Sequence, residues 1–289
     1  MAISLNKIFL ITFCAVLLGG LLMQEISFAA QSKDTASADR VALAEKNKGK
    51  LFGNTEDSLA KSDPELVAMK ERLIYGEIAE HGSLNDKQRE LITLVVLTSA
   101  QTPAEIKKHA GAALQVGVTP IEIKEALYQC APYIGFPKVE TAIQQINEVF
   151  AERKIALPLA SQATVTEESR FKDGLAVQKS IFRDAIDKMH AATPENQKEL
   201  IVNYLSSFCF GDTFTRKGLD IKTRELLVFS AISALGGCES QVKSHVQGNI
   251  NVGNSKQNLI DALVQSLPYI GFPRTLNALA CINEVIPEQ

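Results

Sequence analysis

Pro132-Tyr133-Ile134-Gly135-Phe136-Pro137 recurs without a change as Pro268-Tyr269-Ile270-Gly271-Phe272-Pro273. An unbroken hexapeptide identity, matched in register on both sides, is the signature of an internal duplication. Downstream, Ile146-Asn147-Glu148-Val149 meets Ile282-Asn283-Glu284-Val285. Upstream, Gly117 meets Gly253 and His109 meets His245. After a one-residue shift of register, Arg89-Glu90-Leu91 meets Arg224-Glu225-Leu226. Further back, Tyr75-Gly76-Glu77 faces Phe210-Gly211-Asp212, and His81 falls opposite Arg216. Leader helices are expected over roughly 37–50 and 167–190. The join lies in 157–166, where Pro158 and small polar residues interrupt the pattern.

Each copy reads as helices throughout. The nearly continuous apolar runs Leu91–Ala100 and Leu226–Leu235 suit a buried strand or a buried helix, and their length with helical periods on either side favours helix. Thr102-Pro103-Ala104-Glu105 spells a helix start, with Thr at the N-cap and Glu three residues on as a capping box. Gly117 and Gly253 are stop signals, followed by new starts at Thr119-Pro120 and Ser255. The Tyr-Ile-Gly-Phe-Pro turn ends the next helix, and Pro137 or Pro273 opens the last. No alternating strand pattern with a hairpin turn occurs after residue 30. The expected fold is all-α, two tandem helical domains forming a pseudo-dimer, with boundaries at 30–157 and 158–289.

Several polar residues do not suit a plain bundle. Glu90 shares a helix face with Leu94 and Leu97, and Glu225 shares one with Phe229 and Ile232. A carboxylate on a core stripe is costly unless paired. The bland alternative is a partly exposed Glu in a first helical turn, helped by the macrodipole; recurrence in both copies favours burial with a partner. His109 lies with Ile106 and Ala113, and His245 with Val242 and Val252. A lone His on an apolar face is more often a satisfied core residue than a catalyst. Each follows its Glu across one helix–helix turn, however, so antiparallel helices can join them as a proton relay. At the start of the His-bearing helix the copies differ, Thr102 and Glu105 against Cys238 and Gln241. An N-cap thiol near a His is open to a lowered pKa.

The 289 residues carry 30 Lys+Arg against 33 Asp+Glu, a net charge of −3, with 46% hydrophobic residues. That balance offers no basic field for nucleic acid and no polybasic stripe for a membrane surface. Lys7, the uncharged apolar run Ile8–Met23, and Ser27-Phe28-Ala29 form a secretory signal expected to be cut after Ala29. An uncleaved anchor is the alternative, although the run is short for a span. Cys14 leaves with residues 1–29, and Cys130, Cys209, Cys238 and Cys281 enter an oxidising compartment as disulfide partners or as small buried apolar residues. No Cys-x-x-Cys, no His-x-x-x-His, no glycine-rich phosphate loop and no nucleophile elbow occurs. Neither a metal nor another cofactor is expected.

The order Arg-Glu-Leu, apolar helix, short His-bearing helix, Gly stop and Tyr-x-Gly-x-Pro turn resembles the carboxymuconolactone decarboxylase / alkylhydroperoxidase D family. The likeness covers about 86–150 and 220–286. The leader segment Phe210–Asp220 is similar to the longer, decarboxylase-type members. In the peroxidase branch a Glu precedes a Cys-x-x-Cys-x-x-x-His centre; Glu225, Cys238 and His245 match it, but Gln241 stands where the second thiol belongs. In the first copy Glu90 and His109 match, with Thr102 and Glu105 in place of both thiols. The decarboxylase branch needs no thiols, and there the resemblance implies Glu90, Glu105 and His109 as acid and relay. His81 and Arg216 become candidate anchors for an anionic substrate, with a plain salt bridge the alternative for Arg216, and Tyr133 and Tyr269 are candidate substrate contacts. The expected substrate is a small organic acid, or a peroxide in the thiol reading. A non-catalytic ligand-binding module is the third possibility. Export suits neither the usual cytoplasmic decarboxylase pathway nor the cytoplasmic reductant of the peroxidases. The family also implies a homo-oligomer, here a trimer of tandem chains.

Overall fold

Residues 39–288 are described by a computed structural model, and among them every regular element is helical. The signal-like segment 1–29, its cut after Ala29 and Cys14 lie outside the described residues. No helix among the described residues is long and apolar enough to cross a membrane.

The chain divides into two units, one of residues through Lys48 with Asp57–Glu77, the other of Gly49–Glu56 with Ile78 onward. In the first unit, the leader helix α1 (39–52, its last turn lying in the other unit) meets the π-helical turn Arg72–Glu77 that follows α2 (Pro64–Glu71). Gly76 makes that approach possible, because a Cβ there would strike the Arg40 carbonyl oxygen. Arg40 pairs with Glu77 at 2.5 Å.

The second unit holds the equivalent elements and the core. Its helices are α3 (Asp86–Ala100), α4 (Pro103–Gln115), α5 (Pro120–Tyr128), α6 (Ala131–Ile134) and α7 (Phe136–Glu152), then the second copy. That copy has α8 (Arg170–Phe182), α9 (Ala185–Ala192), the π-helical segment Glu199–Phe214, α10 (Ile221–Leu235), α11 (Glu239–Asn251) and α12 (Lys256–Val285). The leader crossing is repeated: a Cβ on Gly211 would hit the Arg170 carbonyl oxygen, and Arg170 pairs with Asp212.

The apolar runs are buried helices, with residues 89–99 of α3 and 224–234 of α10 all inside. The two helices pack on each other across the repeat boundary, and α12 packs on α3. One apolar cluster runs from Leu84 to Ile282, so the copies share a core although residues 155–166 between them form no helix. The local signals act as read: Thr119 and Ser255 carry capping boxes, and Gly117 and Gly253 close helices at φ +86° and +95°. Gly135 and Gly271 break the chain at φ +87° and +74°, inside the duplicated turn. Only glycine adopts that geometry without strain.

Candidate active sites

Glu90 on α3 and His109 on α4 are brought together inside the protein, 3% and 2% exposed. The Glu90 carboxylate lies 2.9 Å from His109 Nδ1, and Glu225 and His245 repeat the contact at 2.9 Å. An ionised carboxylate accepts from Nδ1–H, fixing the ring and leaving Nε2 as the atom that gives or takes a proton.

What surrounds Nε2 comes partly from the other copy. The Tyr269 hydroxyl lies 3.5 Å from His109 Nε2, its ring edge-on at 5.7 Å, and Phe52 closes another side at 5.5 Å. In the second site Tyr133 stands edge-on to His245 at 5.3 Å and Phe182 at 5.4 Å. Each Glu–His pair is thus covered by the tyrosine of the opposite copy's Tyr-Ile-Gly-Phe-Pro turn. The duplication built two reciprocal sites.

They differ in polarity. Glu105 reaches 3.9 Å from His109 Nε2 while remaining 44% exposed. This departs from the capping-box expectation: Thr102 makes no side-chain cap and donates to the Leu97 carbonyl instead. Gln241, at the matching place, accepts from Ser240. Tyr133 is engaged by the Cys209 thiol, which donates to it at 3.4 Å. Burial, then Cys209 and Glu225, raises the Tyr133 phenol well above its ordinary range. Gly248 lies so close that a Cβ would come within 2.6 Å of Glu225 Oε2. The first site thus has a half-exposed carboxylate beside its imidazole Nε2, and the second has a glutamine at the matching place.

Cys238 does sit at the N-cap of α11, but its thiol moves opposite to the expected lowering. Partial burial raises it, followed by Glu239 and Cys281, and it donates to the Ile232 carbonyl at 3.3 Å. Cys130 and Cys209 are pushed up to about 12 by burial. Cys130, Cys209, Cys238 and Cys281 are all free thiols. Of these four, Ellman's reagent on the folded protein at neutral pH is therefore expected to label only Cys238 readily, more slowly than a free cysteine and faster as pH rises. Fast labelling near pH 7, or labelling of several thiols without denaturant, would contradict this placement.

His81 and Arg216 are not brought to the Glu–His pairs. Arg216 grips buried Glu125 through Nε and Nη2 at 2.9–3.0 Å, and His81 lies 3.6 Å from buried Asp261. The arginines of the Arg-Glu-Leu motifs complete these clusters. Arg224 donates to Glu125, Gln129 and the carbonyls of Arg216 and Lys217, and Arg89 donates to Gln265 and the carbonyls of Ile78 and His81. Each cluster ties one copy to the other. The signal for it stood in the sequence, since Glu125 and Gln129 fall in register with Asp261 and Gln265.

The description "Carboxymuconolactone decarboxylase family" matches this chain twice, over residues 64–148 and 199–284. A 4-carboxymuconolactone decarboxylase from Acinetobacter baylyi is 25% identical over 124 residues, 43% of this chain and 92% of that protein. An uncharacterized 15.0 kDa protein of Paracoccus denitrificans is 29% identical over 109 residues, 37% of this chain and 81% of its own length. A nitrosuccinic acid decarboxylase of Metarhizium robertsii is 35% identical over 63 residues, 22% of this chain and 44% of that protein. A crystal structure described as a gamma-carboxymuconolactone decarboxylase subunit from Burkholderia xenovorans superposes with a TM-score of 0.51. It is 19% identical, covers 84% of this chain and 95% of its own, and shows the likeness of fold.

Proposed function

The chain belongs to the carboxymuconolactone decarboxylase family, and from that premise we propose a carboxy-lyase that works by acid–base chemistry on a small unsaturated organic acid. The working site is where Glu90, His109, Glu105 and Tyr269 meet. One observation carries the reading: His109 Nε2 faces both a hydroxyl and a solvent-linked carboxylate, while Glu90 holds Nδ1.

Loss of carbon dioxide breaks the bond from carbon to carboxylate, and the electron pair moves into a conjugated carbonyl or nitro group. The resulting enolate-like oxygen needs a donor, and the carbon needs a proton. The Tyr269 hydroxyl supplies the donor. His109 delivers the proton from Nε2 and regains one from solvent through Glu105, so substrate plus one proton yields product plus carbon dioxide. Two relatives named for removing a carboxyl group support this class of reaction. A thiol route through Cys238 fits less well, because its sulfur is held at a carbonyl and burial disfavours the thiolate. The proposed setting is outside the cytoplasm, after cleavage following Ala29, as an oligomer of tandem chains.

The test is carbon dioxide release from a panel of unsaturated lactone acids and nitro acids, 4-carboxymuconolactone and nitrosuccinate among them. Turnover of at least one, reduced in Glu105→Gln, is the expected result. Peroxide turnover dependent on Cys238 would support the thiol reading. Tight ligand binding without turnover of any panel member would support a binding module.

A further inference from the structure

Apart from both Glu–His sites, α5, α7 and the irregular segment joining the copies enclose a cleft of about 530 Å³. Lys124, Glu125 and Arg216 are its charged lining residues, and Tyr128, Ile143, Leu157 and Leu159 line it with apolar surface. It shares no residue with the Glu–His pairs.

Lys124 is the unexplained group. It is only 6% exposed, its ammonium donates to the neutral Asn147 Oδ1 at 2.5 Å, and it lies 5.6 Å over the Phe150 ring. No carboxylate among the described residues pairs with it, and burial alone lowers its pKa. The buried carboxylate of the lining, Glu125, is already held by Arg216 and Arg224. Lys124 is left with the neutral Asn147 and the Phe150 ring as its partners. A desolvated ammonium without a counter-charge is costly to keep.

The framework does not require it. Glu125, Gln129 and Arg224 have counterparts in Asp261, Gln265 and Arg89, whereas Ile260 and Val264 stand where Lys124 and Tyr128 do. The cluster around Asp261, Gln265 and Arg89 thus forms without a buried lysine or a tyrosine at the matching places. Arg216 spends Nε and Nη2 on Glu125, and its guanidinium stacks 5.5 Å from the Tyr128 ring.

We propose that this cleft binds a small amphipathic carboxylate, its charged head at Lys124 and its apolar body along Tyr128, Leu157 and Leu159. The ligand supplies the anion that Lys124 lacks. Hydrogen bonds to a charged group in such a setting carry much of the affinity.

Calorimetric titration of the full chain with phenylacetate, and with 2-phenylethanol as its neutral match, tests this. Phenylacetate is expected to bind, with affinity falling about tenfold or more in Lys124→Met. The alcohol is expected to bind weakly to both proteins. His109→Gln is expected to leave phenylacetate binding unchanged, and thermal unfolding of Lys124→Met to stay level or rise. Should that variant fail to fold, Lys124→Gln carries the same expectation. Equal phenylacetate affinity in wild type and Lys124 variants, loss of binding in His109→Gln instead, or no binding by wild type would each overturn the proposal.

Discussion

Replacing His109 by Gln is expected to lower kcat for carbon dioxide release by about two to four orders of magnitude, the range spanned by a positioned acid–base group. Gln fills similar space and can still meet Glu90, so the loss reports the missing proton donor. His245→Gln, at an equally buried Glu–His pair, is expected to lower kcat by less than about threefold, far below what a positioned acid–base group contributes. The contrast follows from what surrounds Nε2. Around His109 there are Glu105 at 3.9 Å and the Tyr269 hydroxyl at 3.5 Å. At the second site Gln241 replaces the carboxylate, and Tyr133 is engaged by Cys209. Equal losses in the two variants would show that both sites turn over, and a loss confined to His245→Gln would move the chemistry to the second.

Arg224→Met is expected to destabilise the fold by about 3–5 kcal/mol, the cost of breaking a buried ion pair from one side. Arg224 is fully buried and donates across the boundary between the copies to Glu125 and Gln129. Without it, Glu125 stays buried with Arg216 as its remaining cation. Arg89→Met is expected to cost less, about 1–3 kcal/mol, because the direct partners of Arg89 are Gln265 and two carbonyls rather than a carboxylate. Urea unfolding measures both. A single cooperative transition should shift, since one core spans both copies. Two separate transitions, or a loss below about 1 kcal/mol for Arg224→Met, would contradict the cluster's role.

The duplication, the all-helical fold and the pairing of Glu90 with His109 and Glu225 with His245 are legible in the sequence, because each rests on a local rule. Helical periodicity places the apolar runs, Gly117 and Gly253 stop their helices, and one antiparallel turn carries each Glu to its His. What escapes is whatever two distant segments decide together. Tyr133 and Tyr269 look like turn residues of their own copies, and only the packing of copy on copy sends each to the other's histidine. His81 and Arg216 read as anchors for an anion, with a salt bridge the alternative for Arg216, and it is Asp261 and Glu125 from the opposite repeat that engage them. Thr102 and Cys238 misled for a related reason. The capping and helix-terminus rules hold for an isolated helix, and here the Leu97 carbonyl and desolvation outweigh them. Phe52 and Phe182, which flank the two imidazoles, belong to leader helices that share little sequence between the copies.

The central claim is that one working site is assembled from both copies around His109 Nε2. A double-mutant cycle on kcat/KM with Tyr269→Phe and Glu105→Gln tests it most directly, since these groups come from different repeats and meet at one nitrogen. The expected result is strong non-additivity, a coupling of about 0.5–3 kcal/mol, with Tyr133→Phe and Glu105→Gln additive. Additive effects of Tyr269→Phe and Glu105→Gln, or equal coupling of Glu105 to Tyr133, would contradict it.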